Sequence, residues 1–170
     1  MPDAVELLRE DHRKVQNLFE EFDEAEKREN KRQVAEKTMM ELEIHSKLEE
    51  EIFYPVVRKT NGDKKMTDKA LKEHHEVEKL IGELRRMKSD DEDFDAKFDT
   101  LVDNVNQHIQ EEESEILPAA EQSDLALEDI GQKMAKRKEQ LQEKMQNADA
   151  KAIRRGGAKS KSSPAKKKRR

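Results

Sequence analysis

The chain has 170 residues, 44% charged, 32% hydrophobic and 4% aromatic: one domain of ordinary size, built from elements that each bury a narrow apolar stripe. It has no cysteine, which excludes disulfides and thiolate metal sites, and no apolar run near the ~18 residues that a membrane span needs. The net charge of −5 is uneven: residues 151–170 hold ten Lys or Arg and no acid, leaving residues 1–150 at −15. The opening "MPDAVELLREDH" has neither the basic start nor the apolar core of a signal peptide, so a cytoplasmic protein is expected.

Asp3 is the cap expected for a first helix, with Glu6 three residues on to complete a capping box. Val5, Leu8, His12, Val15, Leu18, Phe19 and Phe22 then recur at helical spacing to about residue 29. A second helix is predicted from about 31 to 59, with Ala35, Leu42, His45, Glu49, Ile52 and Val56 on one stripe, and "TNGD" at 60–63 ends it. Thr67 or Asp68 opens a third through Leu71, His74, Val77, Leu80, Ile81 and Leu84, closed by "KSDDED" at 88–93. A fourth carries Phe94, Phe98, Leu101, Val105, His108, Glu112 and Ile116. No alternating β-branched run suggests a strand. The expected fold is all-α, an up-down-up-down antiparallel four-helix bundle over residues 1–122. Ser123 or Asp124 restarts a polar helix to about residue 153, which either docks through Leu125, Ile130, Met134, Leu141 and Met145 or projects as an extension. Residues 154–170, rich in Gly, Ser, Lys and Arg, read as a disordered basic tail.

The histidines expose a repeat. His45 is followed by Glu49 at +4, Glu50 at +5 and Pro55 at +10; His108 is followed by Glu112, Glu113 and Pro118 at the same offsets. Upstream, His12 has Leu8, Val15, Leu18, Phe19 and Phe22 around it where His74 has Ala70, Val77, Leu80, Ile81 and Leu84. Taking His75 instead would put Glu76, Glu78 and Lys79 at apolar positions, so His74 is the inward residue. His75 lies about 100° round the helix and reads as a surface residue or one that supports the site from behind.

Four imidazoles and two carboxylates therefore converge on the bundle axis: His12, His45 and Glu49, His74, His108 and Glu112. An unpaired buried carboxylate costs several kcal/mol or is forced to protonate. No Lys or Arg shares these stripes at that level, whereas two divalent metal ions would supply the missing charge. Imidazole and carboxylate together suit iron, manganese or zinc. The ferritin-type Glu-x-x-His motif is absent, since Arg9, Leu42, Leu71 and Val105 stand three before the four histidines.

Over about residues 3–120 this doubled His, then His-x-x-x-Glu pattern resembles the hemerythrin-like proteins of the HHE cation-binding family. The resemblance implies a non-haem di-iron centre, two oxo- and carboxylate-bridged iron ions. His12, His45, His74 and His108 would be terminal nitrogen ligands, and Glu49 and Glu112 the bridging carboxylates. It implies O2, peroxide or nitric oxide as the small ligand, with a binding or sensing protein expected ahead of an enzyme that consumes peroxide or nitric oxide. Oxygen-carrying hemerythrins have a further histidine one turn after the third-helix ligand, where this chain has Glu78, and Gln16 follows His12 by four. The pattern is closer to bacterial hemerythrin-like proteins linked to oxidative or nitrosative stress, iron handling or oxygen sensing.

Pro55 and Pro118 lack an N–H and clash with the carbonyl four residues back, so each is expected to loosen, bend or end its helix. Ile52, Phe53 and Tyr54 line the site or pack beside it. Residues 151–170 have the charge to contact nucleic acid non-specifically through phosphates, and no aromatic residue there suggests base stacking.

Overall fold

Asp3 starts the first helix as the sequence predicts. Its side chain accepts from the Glu6 N–H at 2.9 Å, and the Glu6 carboxylate accepts from the Asp3 N–H at 3.0 Å, a reciprocal cap worth about 1 kcal/mol. The computed structural model describes residues 1–61, 64–88 and 92–158. Among them it is all helical: α1 (Ala4–Glu24), α2 (Arg28–Leu48), a π-turn (Glu49–Phe53), α3 (Tyr54–Asn61), α4 (Lys64–Arg86), α5 (Glu92–Glu111), a second π-turn (Glu112–Ile116), α6 (Leu117–Glu121) and α7 (Leu127–Ala158). Because α2 runs through its π-turn into α3, and α5 into α6, the described residues form five helical rods.

α1 stops sooner than the periodicity suggests. Ala25 turns extended at φ −69°, ψ 122°, and α2 begins at Arg28 after a three-residue link that carries no large apolar side chain. α5 begins at Glu92, where Glu92, Asp93 and Asp95 set negative charge against the positive end of the helix dipole. Parts of the expected loops at 60–63 and 88–93 lie outside the described residues.

Two apolar layers hold the rods together. One gathers Val15, Phe19, Phe22, Met39, Ile81, Leu84, Phe98 and Val105, with Phe22 stacked on Phe98 at 4.0 Å between ring centres. The other gathers Val5, Leu8, Ile44, Leu48, Phe53, Tyr54 and Leu117. On α1 and α4 the candidate ligand lies between them in sequence, with Leu8 and Val15 flanking His12 and Ala70 and Val77 flanking His74.

The fifth rod docks rather than projects. Ile130, Met134 and Leu141 of α7 are buried in the second layer, with Leu125 and Met145 partly buried beside it. α7 packs against α1, α2 and the first π-turn. It runs five residues past the expected end at 153, through Gly156 and Gly157 to Ala158. Its Ala, Lys, Gln and Glu content favours continuation, and no proline interrupts before Pro164. Residues 159–170 of the expected disordered tail lie outside the described residues. No helix of the described residues is long and apolar enough to cross a membrane.

Candidate metal centre

Four of the five rods lend the interior polar side chains at one level. His12, His45, Glu49, His74, His108 and Glu112 are all buried, with the two glutamates at 0% and 1% exposure. The rings pair by repeat and in the same attitude: His12 and His45 lie 5.0 Å apart at 64°, His74 and His108 4.8 Å apart at 64°.

Each imidazole turns Nε2 inward and donates Nδ1–H to a carboxylate behind it. Glu113 receives His12 at 2.8 Å, Asp11 receives His45 at 3.3 Å, Glu50 receives His74 at 2.8 Å and Glu73 receives His108 at 2.8 Å. These contacts obey the repeat. The residue before the first histidine serves the second histidine of its own repeat, through Asp11 and Glu73. The glutamate after the inward glutamate crosses to the other repeat, through Glu50 and Glu113. Such partners fix ring orientation and raise ligand basicity.

The inward atoms form two groups that could each hold a metal ion: His12, His45, Glu49 and Glu112, and Glu49, His74 and His108. In the first group, His45 Nε2 is 2.9 Å from Glu49 Oε1 and His12 Nε2 is 3.2 Å from Glu112 Oε2. Those distances fall in the ion-pair range, yet all four atoms lack a hydrogen-bond partner. Their lone pairs are not aimed at one another, which suits donors converging on a shared point. In the second group, His74 Nε2 lies 2.9 Å from Glu49 Oε2 and 3.2 Å from His108 Nε2.

Tyr54 enters this second group. Its phenol donates to Glu49 Oε2 at 3.0 Å, reaches Glu112 Oε1 at 3.2 Å, and lies 3.4 and 3.5 Å from Nε2 of His74 and His108. Burial, with the Glu112 and Glu49 carboxylates beside it, pushes its pKa well up. The π-turn puts it there. The Tyr54 N–H bonds to Glu49 O, so the turn stacks residues five apart, which an ordinary helix leaves about 140° apart. The second turn does the same for Leu117 over Glu112. Pro55 and Pro118 follow these turns, and the helix continues past both.

His75 is exposed and sits 3.6 Å from Glu78, also exposed. Glu50 and Glu113 act from behind the rings, as described. A cavity of about 20 Å³ lies against the four imidazoles, walled by Val15, Leu42, Val77, Val105 and Ile109. A groove of about 230 Å³ between α2 and α4 shares Leu42, Ser46, His74 and Val77 with it.

An all-helical protein that gathers four imidazoles and two carboxylates between facing helices belongs to the class of bundles that build metal sites in their core. The model of the hemerythrin HHE cation binding domain matches residues 3–120, and the chain belongs to that family, whose domains bind metal ions, typically iron. It is 30% identical over 113 residues to an uncharacterized hemerythrin-like protein of Schizosaccharomyces pombe, covering 65% of this chain and 56% of that one. It is 29% identical over 114 residues to a DNA nickase of Nostoc, covering 67% of this chain and 32% of that one. The match thus spans little more than half of the first relative and a third of the second. The crystal structure of a hemerythrin HHE cation binding domain-containing protein from Mycobacterium kansasii is similar, with a TM-score of 0.72, 27% identity, and coverage of 83% of this chain and 88% of that one.

Proposed function

We propose that the cluster holds two iron ions and that the protein binds O2, peroxide or nitric oxide there, in sensing, stress response or iron handling. His12 and His45 would hold one ion and His74 and His108 the other, with Glu49 and Glu112 between them. The carrying observation is the set of four buried, unpartnered donor atoms on His12, His45, Glu49 and Glu112. Buried polar atoms are almost always paired, and a metal ion gives all four one partner.

Bound iron would supply a redox-active Lewis acid able to take a small ligand. The chain's own residues set the conditions. The carboxylates behind the rings hold each Nδ1 and so aim each Nε2 inward. The Tyr54 phenol oxygen brings a further donor to the His74 and His108 half, which has one glutamate where the other half has two. The valine, leucine and isoleucine wall keeps bulk water out. A cavity of about 20 Å³ has room for a water-sized molecule, and the α2–α4 groove is its approach. Peroxide or nitric-oxide consumption is the enzymatic variant of this reading, separated from simple binding by turnover with an added reductant.

The test is metal analysis of the protein from iron-replete cells, with absorption spectra in air and under reduction. Two irons per chain and a charge-transfer band that bleaches on reduction are expected. A stably folded, metal-free protein from such cells would overturn the reading.

The basic end favours a second role, non-specific nucleic-acid contact. Residues 151–170 carry ten Lys or Arg and no acid, and Lys151, Arg154 and Arg155 are exposed at the end of α7. Deleting 159–170 should abolish salt-sensitive retention on DNA and leave metal content unchanged; retention that survives the deletion would exclude this role for the tail.

A further inference from the structure

Three of the four carboxylates behind the rings are open to solvent on their far side, with side-chain exposures of 40% for Glu113, 41% for Glu50 and 24% for Glu73. The fourth, Asp11 behind His45, is 8% exposed. One of its oxygens faces the His45 ring, and the other is taken by the ammonium of Lys138, from α7. Lys138 is itself only 21% exposed. A helix outside the four ligand-bearing rods thus reaches the ring of one candidate ligand through a single carboxylate.

The placement of Lys138 within α7 gives this contact weight. Met134 and Leu141, both buried, stand four before and three after it, so on the helix they share its face. The ion pair lies inside the docked stripe. If Asp11 turned away, the ammonium would stay at the interface without its partner, which is costly for a shielded charge. If α7 lifted, Asp11 would lose the contact that sets its orientation toward His45. The other polar tie of α7 at this level, Arg137 to Glu51 at 2.7 and 3.2 Å, is solvent-exposed and touches no candidate ligand. The pseudo-symmetric position behind His108 has no such anchor: Lys69, 61% exposed, stands 4.0 Å from Glu73.

We propose that Lys138 is a positioning residue for the His12 and His45 half of the centre, so that metal occupancy of that half and docking of α7 favour one another. This rests on the reading of the cluster as a two-metal centre. Coupling of this kind is reciprocal: whatever α7 adds to metal affinity, metal adds to α7 docking. α7 continues unbroken to Ala158, so the helix that touches Asp11 also carries the start of the basic C-terminal segment.

The experiment uses the full chain, titrated with zinc and, anaerobically, with ferrous iron against a competing chelator. Removing a residue that orients a metal ligand commonly weakens metal binding about 10–100-fold. Lys138→Met should weaken one of the two metals by roughly tenfold and leave the other within about twofold. Asp11→Asn, which keeps the side-chain shape, should weaken the same metal, and Lys138→Arg should restore it. Arg137→Met removes an exposed ion pair that touches no ring and adds little to docking, so it should leave both metals unchanged. Hydrogen exchange should show metal slowing residues 127–145 in the wild type and not in Lys138→Met. Equal weakening of both metals, no weakening, or α7 exchange indifferent to metal in the wild type would overturn the inference while the two-metal centre stands. A wild-type chain that takes up neither metal would overturn both.

Discussion

His45 and Glu49 lie one turn apart on one face, and each alone would be a costly guest in an apolar interior. What accommodates them is the company of His12, His74, His108 and Glu112, each backed by a further polar group. On the proposed two-metal reading, His45→Ala or Glu112→Gln should end two-metal occupancy by metal analysis, while His75→Ala, at an exposed ring, should leave it intact; a loss through His75 would reassign the inward histidine. Tyr54→Phe removes a buried donor from Glu49 and Glu112. It should cost the metal-free protein about 1.5–3 kcal/mol in urea unfolding, as for a hydrogen bond to a charged group, and lower affinity for the second metal. The six imidazoles and carboxylates were legible because they recur at fixed offsets against an apolar background. The carboxylates behind them left a fainter trace. Glu50 and Glu113 stand out as the second member of each glutamate pair, and Asp11 and Glu73 as the acid before each first histidine. In a chain that is 44% charged, such acids do not announce their partners. Lys138 left no trace, because its contact spans 127 positions and depends on how α7 docks.

At the scale of the element, the two π-turns are what the helical period hid. A 3.6-residue count sends Tyr54 away from Glu49, and only the wider turn stacks them. The prolines are the sequence mark of those turns. Pro55 has no N–H to give the Glu51 carbonyl and its ring would crowd that oxygen in an α-helix; a wide turn just before it relieves the crowding. Pro55→Ala restores a donor and removes the crowding. It should keep helix content by circular dichroism yet weaken metal binding, because the segment becomes free to rewind and swing Tyr54 off the centre. Unchanged affinity would separate the turn from the proline. Docking of α7 rests on a different detail. A Cβ on Gly131 would meet backbone atoms of Pro2, Asp3 and Ala4 at 2.8 Å, and backbone cannot step aside as a flexible side chain can. Gly131→Ala should cost about 1–3 kcal/mol in chemical denaturation, the usual range for overpacking, and should raise hydrogen exchange in α7 before it affects α4 and α5.

Across the whole molecule, the buried cluster has to balance its charge with or without metal. Burial works against a charged His45, but Glu49 and Asp11 outweigh it and raise its pKa from 6.5 to about 10. His108, likewise buried, is raised to about 12 by Glu112, Glu49 and Glu73, and Glu49 and Glu50 raise His74 against the same burial cost. Burial would lift the Glu49 carboxyl, but the His45 charge and the hydrogen bonds of the other rings hold it well below its usual range. In the metal-free chain, imidazolium protons thus stand where metal charge would. A raised histidine pKa contributes stability that is complete below about 6.5 and is lost as pH climbs through the folded value. The lowered Glu49 contributes stability that is present above about 4.5 and is lost as pH falls through its folded value. The cluster therefore favours the metal-free fold most between about pH 4.5 and 6.5, and ever less from pH 6.5 toward 10. Metal binding runs the other way. Each ion needs neutral imidazoles and displaces their protons, so affinity rises with pH across that same window. Because ligand stabilises the fold according to its affinity, the gap between loaded and metal-free Tm should widen from pH 6 to pH 9, and zinc addition at pH 7 should release protons. A gap that stays flat or narrows would mean that these imidazoles already face inward unprotonated, or that the metal does not bind through them.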